Sequence, residues 1–238
     1  MYMVVDYYEA KDICDHSVAK EKECGSASER ISAVINELGF ALSPEYLKSV
    51  HKKLFGGFLE GAGKYRDINI RKHEWVLDGE SVDYASKDDI EALVKSDFEN
   101  EDDFDHSGLD ATAKIQHVIK FVSRLWQRHP FINGNTRTIA VFTIKYLQVL
   151  GFQVNNNMFK EYSWFFRNAL VRANYENHLQ LVTKTFEPLS HFFGNLLLGE
   201  NNELKSRLLL VEFTSSQIKM EGHHKKCKCS GNLNMEVK

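Results

Sequence analysis

Only three prolines interrupt the 238 residues: Pro44, Pro130 and Pro188. A chain so poor in helix breakers can carry long helices, and the amphipathic stretches between the prolines point the same way. Charge of one sign is also lacking: 30 Lys and Arg stand against 33 Asp and Glu, a formal net charge of −3. That excludes the strong basic excess of a typical nucleic-acid binder, and a partner held by a large single-sign field. No apolar run is long enough to span a bilayer. The opening Met1-Tyr-Met-Val-Val-Asp6 has no basic segment and meets a charge too soon for a signal peptide. A cytoplasmic protein with no membrane partner is expected, and delivery into another cell by a secretion machine is compatible with the same sequence.

Cysteine is scarce as well. Cys14, Cys24, Cys227 and Cys229 all lie near the ends, which does not suggest a disulfide framework and suits a reducing compartment. The tail His223-His-Lys-Lys-Cys227-Lys-Cys229 matches no standard zinc spacing and is expected to be a polar, flexible end.

What is present is mostly helical pattern. Residues 29–38 place Ile31, Val34, Ile35 and Leu38 at helical spacing. Ser43-Pro44 opens a second helix with Tyr46, Leu47, Val50 and Leu54 inward. Gly56, Gly57, Gly61 and Gly63 break that pattern. Ile68 and Ile70 then alternate with polar residues, and Asp78-Gly79 separates short apolar runs, so residues 65–84 are expected to form a small β-hairpin flap. The acidic stretch 86–103 is expected to be a solvated helix face and a loop, not a metal site. Residues 111–127 form an amphipathic helix and 138–150 a nearly all-apolar one, the buried centre of a bundle. Two more helices fit 159–175 and 178–198, with Pro188 kinking or splitting the second. The fold class is mainly α, in three parts: an extension over 1–25, a helical domain over 26–205, and a tail over 206–238.

Between the amphipathic and the buried helix lies His129-Pro-Phe-Ile-Asn-Gly-Asn-Thr-Arg137. Gly134 permits a turn other residues resist, and Asn135 or Thr136 can cap the following helix. A helix start exposes unpaired N–H groups and the positive end of the dipole, so it binds phosphate. Arg137 sits at the wrong end of a helix for a cation unless an anion shares the site, and its fork suits phosphate oxygens. His129, on the opposite lip, can accept a proton from an attacking hydroxyl. Phe131 turns inward as an anchor. A base, an anion cradle and a cationic clamp are thus gathered in one loop. The bland reading of the same loop is turn chemistry alone.

The segment resembles the signature of the Fic (filamentation induced by cAMP) family, H-x-F-x-[D/E]-G-N-G-R-x-x-R, in the variant form His129 to Ala140, and Ala62-Gly-Lys-Tyr-Arg66-Asp-Ile-Asn-Ile70 resembles the approach to that family's flap. The resemblance implies a Fic-type helical bundle that binds ATP with Mg²⁺ and transfers AMP to a Tyr, Thr or Ser hydroxyl of a target protein. Carried over by position, His129 is the catalytic base. Phe131, Gly134, Asn135, Thr136 and Arg137 form the nucleotide and phosphate site. Asn69 and Ile70 dock the target backbone as an added strand, and Asn133 is the metal ligand.

Three residues depart from the signature. Asn133 replaces an acid, Thr136 replaces the second glycine, and Ala140 replaces the second arginine. In autoinhibited members that arginine pairs with an inhibitory glutamate in the pattern [S/T]-x-x-x-E-[G/N], of which this chain has no clean copy; restraint would then come from a separate antitoxin-like partner or from low intrinsic activity. Two other readings stay open: transfer of a different phosphate-containing group, and a catalytically weak nucleotide-binding regulator or toxin-like protein.

Overall fold

The computed structural model describes residues 28–211 and the backbone of residues 4–7. In chain order, strand β1 covers Val4–Tyr7 and helix α1 covers 28–36. Helix α2 is Pro44–Phe55, strand β2 Asn69–Lys72, α3 Ile90–Asp102, α4 Ala111–Arg128 and α5 Asn135–Val149. Three helices close the order: α6 Asn157–Glu161, α7 Ser163–Asn174 and α8 Glu187–Leu198. The apolar 138–150 segment fulfils its expected place. α5 is buried at Ile139, Phe142, Ile144 and Leu147, and it packs against α2 and α4. Around it, Leu47 of α2, Phe98 of α3, Val118, Val122 and Trp126 of α4 and Phe166 of α7 join one hydrophobic cluster.

Local chemistry explains most boundaries. Ser43 caps α2 by accepting a bond from the Tyr46 N–H at 3.1 Å, with Pro44 at the first helical position. Asp110 does the same for α4 through the Ala113 N–H at 2.7 Å. Arg128, in the last turn of α4, forks onto buried Asp97 of α3 at 2.7 and 3.1 Å, and the cation suits a helix C-terminus.

Several expectations need correction. Residues 65–84 are not a hairpin. Asp78 and Gly79 do take positive φ (52° and 89°), and Glu74 N–H bonds the Glu80 carbonyl across the turn at 2.9 Å. The arm between them, however, is a single 3-10 turn over Trp75–Leu77. Val76 and Leu77 are adjacent and both fully buried, which a flap strand with one face in solvent cannot achieve because neighbours on a strand face opposite sides. β2 pairs instead with β1, in parallel, Val4 opposite Asn69 through Tyr7 opposite Lys72. Part of the 1–25 extension therefore belongs to the fold.

Pro188 neither kinks nor splits a helix. It lies in the first turn of α8, where its missing N–H is harmless, and residues 178–186 form a 3-10 turn and a loop. The 159–175 segment is two helices, divided at Tyr162. Nor is the acidic 86–103 stretch simply solvated, since Asp97 and Glu101 are buried. At the far end, Leu209 is buried and the Val211 N–H bonds the Val76 carbonyl at 2.8 Å, so the packed body continues past residue 205. The Cys227 and Cys229 segment lies outside the described residues.

Candidate active site

The loop 129–134 turns a sharp corner between α4 and α5. α4 ends because His129 adopts a left-handed conformation (φ 46°, ψ 56°), with its N–H bonded to the Trp126 carbonyl at 3.0 Å, and Pro130 cannot continue a helix. A non-glycine residue in this region carries strain of about 1–2 kcal/mol, which the surroundings must hold. They do. The Tyr84 ring packs 4.3 Å from the His129 ring and Trp126 meets it edge-on at 5.4 Å. The Tyr84 hydroxyl donates to Glu74 at 2.8 Å, and Glu74 is itself gripped by buried Arg167. His129 is 1 % exposed.

Arg66 fixes the backbone below. Its guanidinium donates to three carbonyls: His129 (2.9 Å), Ile68 (2.6 Å) and Ala85. Its own N–H bonds the Pro130 carbonyl at 2.8 Å. Burial lowers its pKa to about 10, so it stays charged at neutral pH.

His51, on α2, is the strut of the other side. Its ring stacks on Phe131, 3.8 Å between centroids and 15° between planes. Its Nδ1 accepts from the Gly63 N–H at 2.8 Å, which leaves Nε2–H to donate to the Asn133 carbonyl at 3.0 Å. That pairing requires the neutral ring. Burial drives the pKa down to about 4, the Asn133 carbonyl opposes this, and Arg137 nearby adds to the lowering.

The α5 end of the corner lacks a side-chain cap. Gly134, not Asn135 or Thr136, is the N-cap of α5, and no side chain caps that helix. Asn135 is engaged elsewhere: its amide accepts from the Phe131 N–H (3.0 Å) and donates to the Phe131 carbonyl (2.7 Å), clamping the loop. Thr136 Oγ1 accepts the Trp126 indole N–H at 3.0 Å. The first turn of α5, Asn135 and Thr136 included, thus has no side-chain cap on its backbone N–H groups. Gly134 has φ 73°, and a Cβ there would lie 2.4 Å from the Phe55 ring, so glycine is required twice over. Arg137 is half-buried with its guanidinium 4.8 Å above that same ring, an arrangement that favours a cation over an aromatic face.

Of the residues singled out by sequence, His129, Asn133, Gly134, Asn135, Thr136 and Arg137 come together here. Phe131, 1 % exposed, is in the core beneath His51, which makes it the loop's anchor and keeps it from touching a ligand. Asn69 and Ile70 stand on β2, joined to the corner through Arg66. Asn69 Oδ1 accepts from the Lys87 N–H at 2.8 Å and Ile70 is buried, so only the backbone of this strand is available for pairing, and one of its edges already carries β1. Sequence reading missed His51, Tyr84 and Glu74, and gave Arg66 no role; they reach the loop from 45 to 80 positions away, and a lone polar residue at such distance leaves no local pattern.

A mainly helical body whose central buried helix begins at an uncapped, anion-ready corner, with a histidine on its other lip, is the architecture of a Fic domain. Residues 41–147 match the model of the Fic/DOC family. A curated relative, the protein adenylyltransferase VbhT of Bartonella schoenbuchensis, is 26% identical over 134 residues, 56% of this chain. The match spans only 26% of VbhT. Among solved structures, the VirB-translocated effector BepC of Bartonella tribocorum, with bound AMPPNP, superposes with a TM-score of 0.61 at 17% identity, covering 77% of this chain and 87% of that one. The N-terminal Fic domain of a Bartonella quintana effector, with bound ADP, gives 0.56 at 21% identity over 79% of this chain and 87% of its own. No helix of the described residues is long and apolar enough to cross a membrane.

Proposed function

We propose that this chain transfers AMP from ATP to a hydroxyl side chain of a target protein. The observation that carries the reading is the corner itself: an uncapped N-terminus of a 15-residue buried helix, with Arg137 in its first turn and His129 across the loop. Fic-fold neighbours with AMPPNP and ADP, and the name of VbhT, favour a nucleotide at this place. The α5 N–H groups and the Gly134 turn would hold phosphate oxygens, and Arg137 would pair with the outer phosphates. His129 would take the proton of the attacking Tyr, Thr or Ser hydroxyl while the α-phosphate bond to pyrophosphate breaks. Because His129 is enclosed by Tyr84, target binding must uncover it, and Tyr84 is therefore the cover of the site.

Asn133, whose backbone carbonyl is bonded to His51, would offer its side-chain amide oxygen to Mg²⁺ bound with the nucleotide. That amide is neutral, and most coordination would come from phosphate and water. When bound, Mg²⁺ would neutralise phosphate charge. A target strand added to β2 would use the edge that β1 does not cover, or displace β1. Since similar structures are of VirB-translocated effectors, the target is proposed to lie in a second cell.

The test compares α- and γ-labelled ATP in the wild type and in His129→Asn, chosen because asparagine tolerates the left-handed backbone. We expect α-label on protein, lowered in the variant by ~10²–10⁴-fold with the melting temperature little changed, as for removal of a general base. γ-Label would instead mean phosphorylation, and undiminished transfer in the variant would reject His129 as the base.

A further inference from the structure

Glu101, in the last turn of α3, has its side chain wholly withdrawn from solvent. Two imidazoles and a phenol meet it. His117 of α4 places Nε2 2.8 Å from Oε2, and His106, from the loop after α3, places Nε2 3.7 Å from Oε1. The Tyr146 hydroxyl of α5 donates to Oε1 at 2.6 Å and lies 2.9 Å from His106 Nε2. Among the described residues, the ionic partners of Glu101 are these two histidines. A buried carboxylate without Lys or Arg needs a positive charge from elsewhere. The C-terminal end of α3 adds further negative potential at the same point.

We propose that Glu101, His106 and His117 bind a divalent cation of the zinc class. One ligand atom from each residue lies within 4.8 Å of the others. Four-coordinate zinc, with bonds of ~2.0–2.1 Å, holds its ligand atoms roughly 3.3 Å apart, so sub-ångström shifts complete the set. Two imidazole nitrogens and one carboxylate suit Zn²⁺, Co²⁺ or Ni²⁺ over Mg²⁺ or Ca²⁺, which take oxygen. Phe104 stacks on the His117 ring at 3.4 Å and meets the His106 ring edge-on at 4.8 Å, setting both planes. The Tyr146 hydroxyl is placed to be the fourth ligand or to bond a water that is. His117 lies twelve residues before His129 on one helix, ~18 Å along its axis. The site is thus separate from the corner, and its metal ties α3, the following loop and α4 together.

The full chain carries a confounding tail, so the test uses His223→Ala, His224→Ala, Cys227→Ser and Cys229→Ser together. After chelation, Zn²⁺ is titrated by calorimetry and Co²⁺ by visible absorption. The expected result is one Zn²⁺ per chain at micromolar affinity or tighter, a raised melting temperature, a four-coordinate Co²⁺ spectrum, and no response to millimolar Mg²⁺. Glu101→Gln, His106→Asn and His117→Gln each weaken Zn²⁺ at least tenfold. His106→Asn, on the loop, serves if a buried variant fails to fold. Absence of saturable binding, or affinity unchanged by His106→Asn and His117→Gln, overturns the proposal. A lowered melting temperature in Glu101→Gln without any metal response would assign the cluster to hydrogen bonding alone.

Discussion

His51 never enters the proposed chemistry, yet the shape of the loop depends on which proton it carries. Its neutral ring is built in from both sides, by the Gly63 N–H on Nδ1 and the Asn133 carbonyl on Nε2. Its pKa of about 4 in the fold lies below the ordinary 6.5 of a histidine. Between those values the unfolded chain binds a proton that the folded chain refuses, so stability is complete above pH 6.5 and declines as pH falls toward 4. At 1.36 kcal/mol per unit, the loss is at most roughly 3 kcal/mol. Denaturant melts at pH 7.5 and 4.5 should show this decline in the wild type and a smaller one in His51→Gln. Equal slopes would place the titrating group elsewhere. The contrast with the motif residues is instructive. Gly134 and Arg137 declared themselves because a positive-φ turn and a misplaced helix-start cation are local anomalies. His51 sits on an amphipathic helix where a histidine is unremarkable, and its importance comes from residue 133.

At the scale of elements, the segments that meet at the corner are tied by Arg66 more than by secondary structure. One guanidinium joins the foot of β2, the 85 region and the end of α4. Lysine keeps the charge but has no fork to serve three diverging carbonyls. Arg66→Lys is therefore expected to destabilise the fold by about 2–3 kcal/mol, the range for hydrogen bonds from charged groups and buried acceptors left unmade. Transfer should fall with it, because the His129 carbonyl loses its donor. Thermal melts and labelled-ATP transfer on the same samples check this, and a variant with wild-type stability would show that the Arg66 network is dispensable. Helices were legible where the apolar pattern was clear, as in α2, α4 and α5, although the cap expected for α5 was not the one found. The flap was not. Asp78-Gly79 gave a true turn signal, but Val76 and Leu77 follow each other into the core, and β2 found its partner some sixty-five positions away in β1.

Over the whole molecule, the boundary that sequence drew at residue 205 fell short because periodicity fades there while packing does not. Leu209 is buried and Val211 bonds back to Val76, beside the turn that follows β2. A chain ending at 205 should be less stable than one ending at 211 by roughly 2–3 kcal/mol, the burial of one leucine. Comparing melts of the two truncations decides it, and coincident transitions would mean that residues 206–211 only rest on the surface. The amphipathic and buried stretches named the core of this bundle correctly; the strand from the first residues and the return of the last described ones are long-range closures without a sequence period.

The contact of Gly134 with the Phe55 ring has a consequence for how the corner could be reassembled from parts. The motif from His129 to Arg137 is contiguous, yet half of its mould is α2, supplied by a segment some eighty residues upstream and separated by the glycine-rich turn at 56–63. A polypeptide starting at residue 64 contains every motif residue and lacks the surface they are shaped on. Cut in that turn and mixed, the two pieces should act as a split reporter: neither binds nucleotide alone, and binding returns with 1:1 association. Phe55→Ala in the smaller piece should weaken recovery, although that piece holds none of the motif.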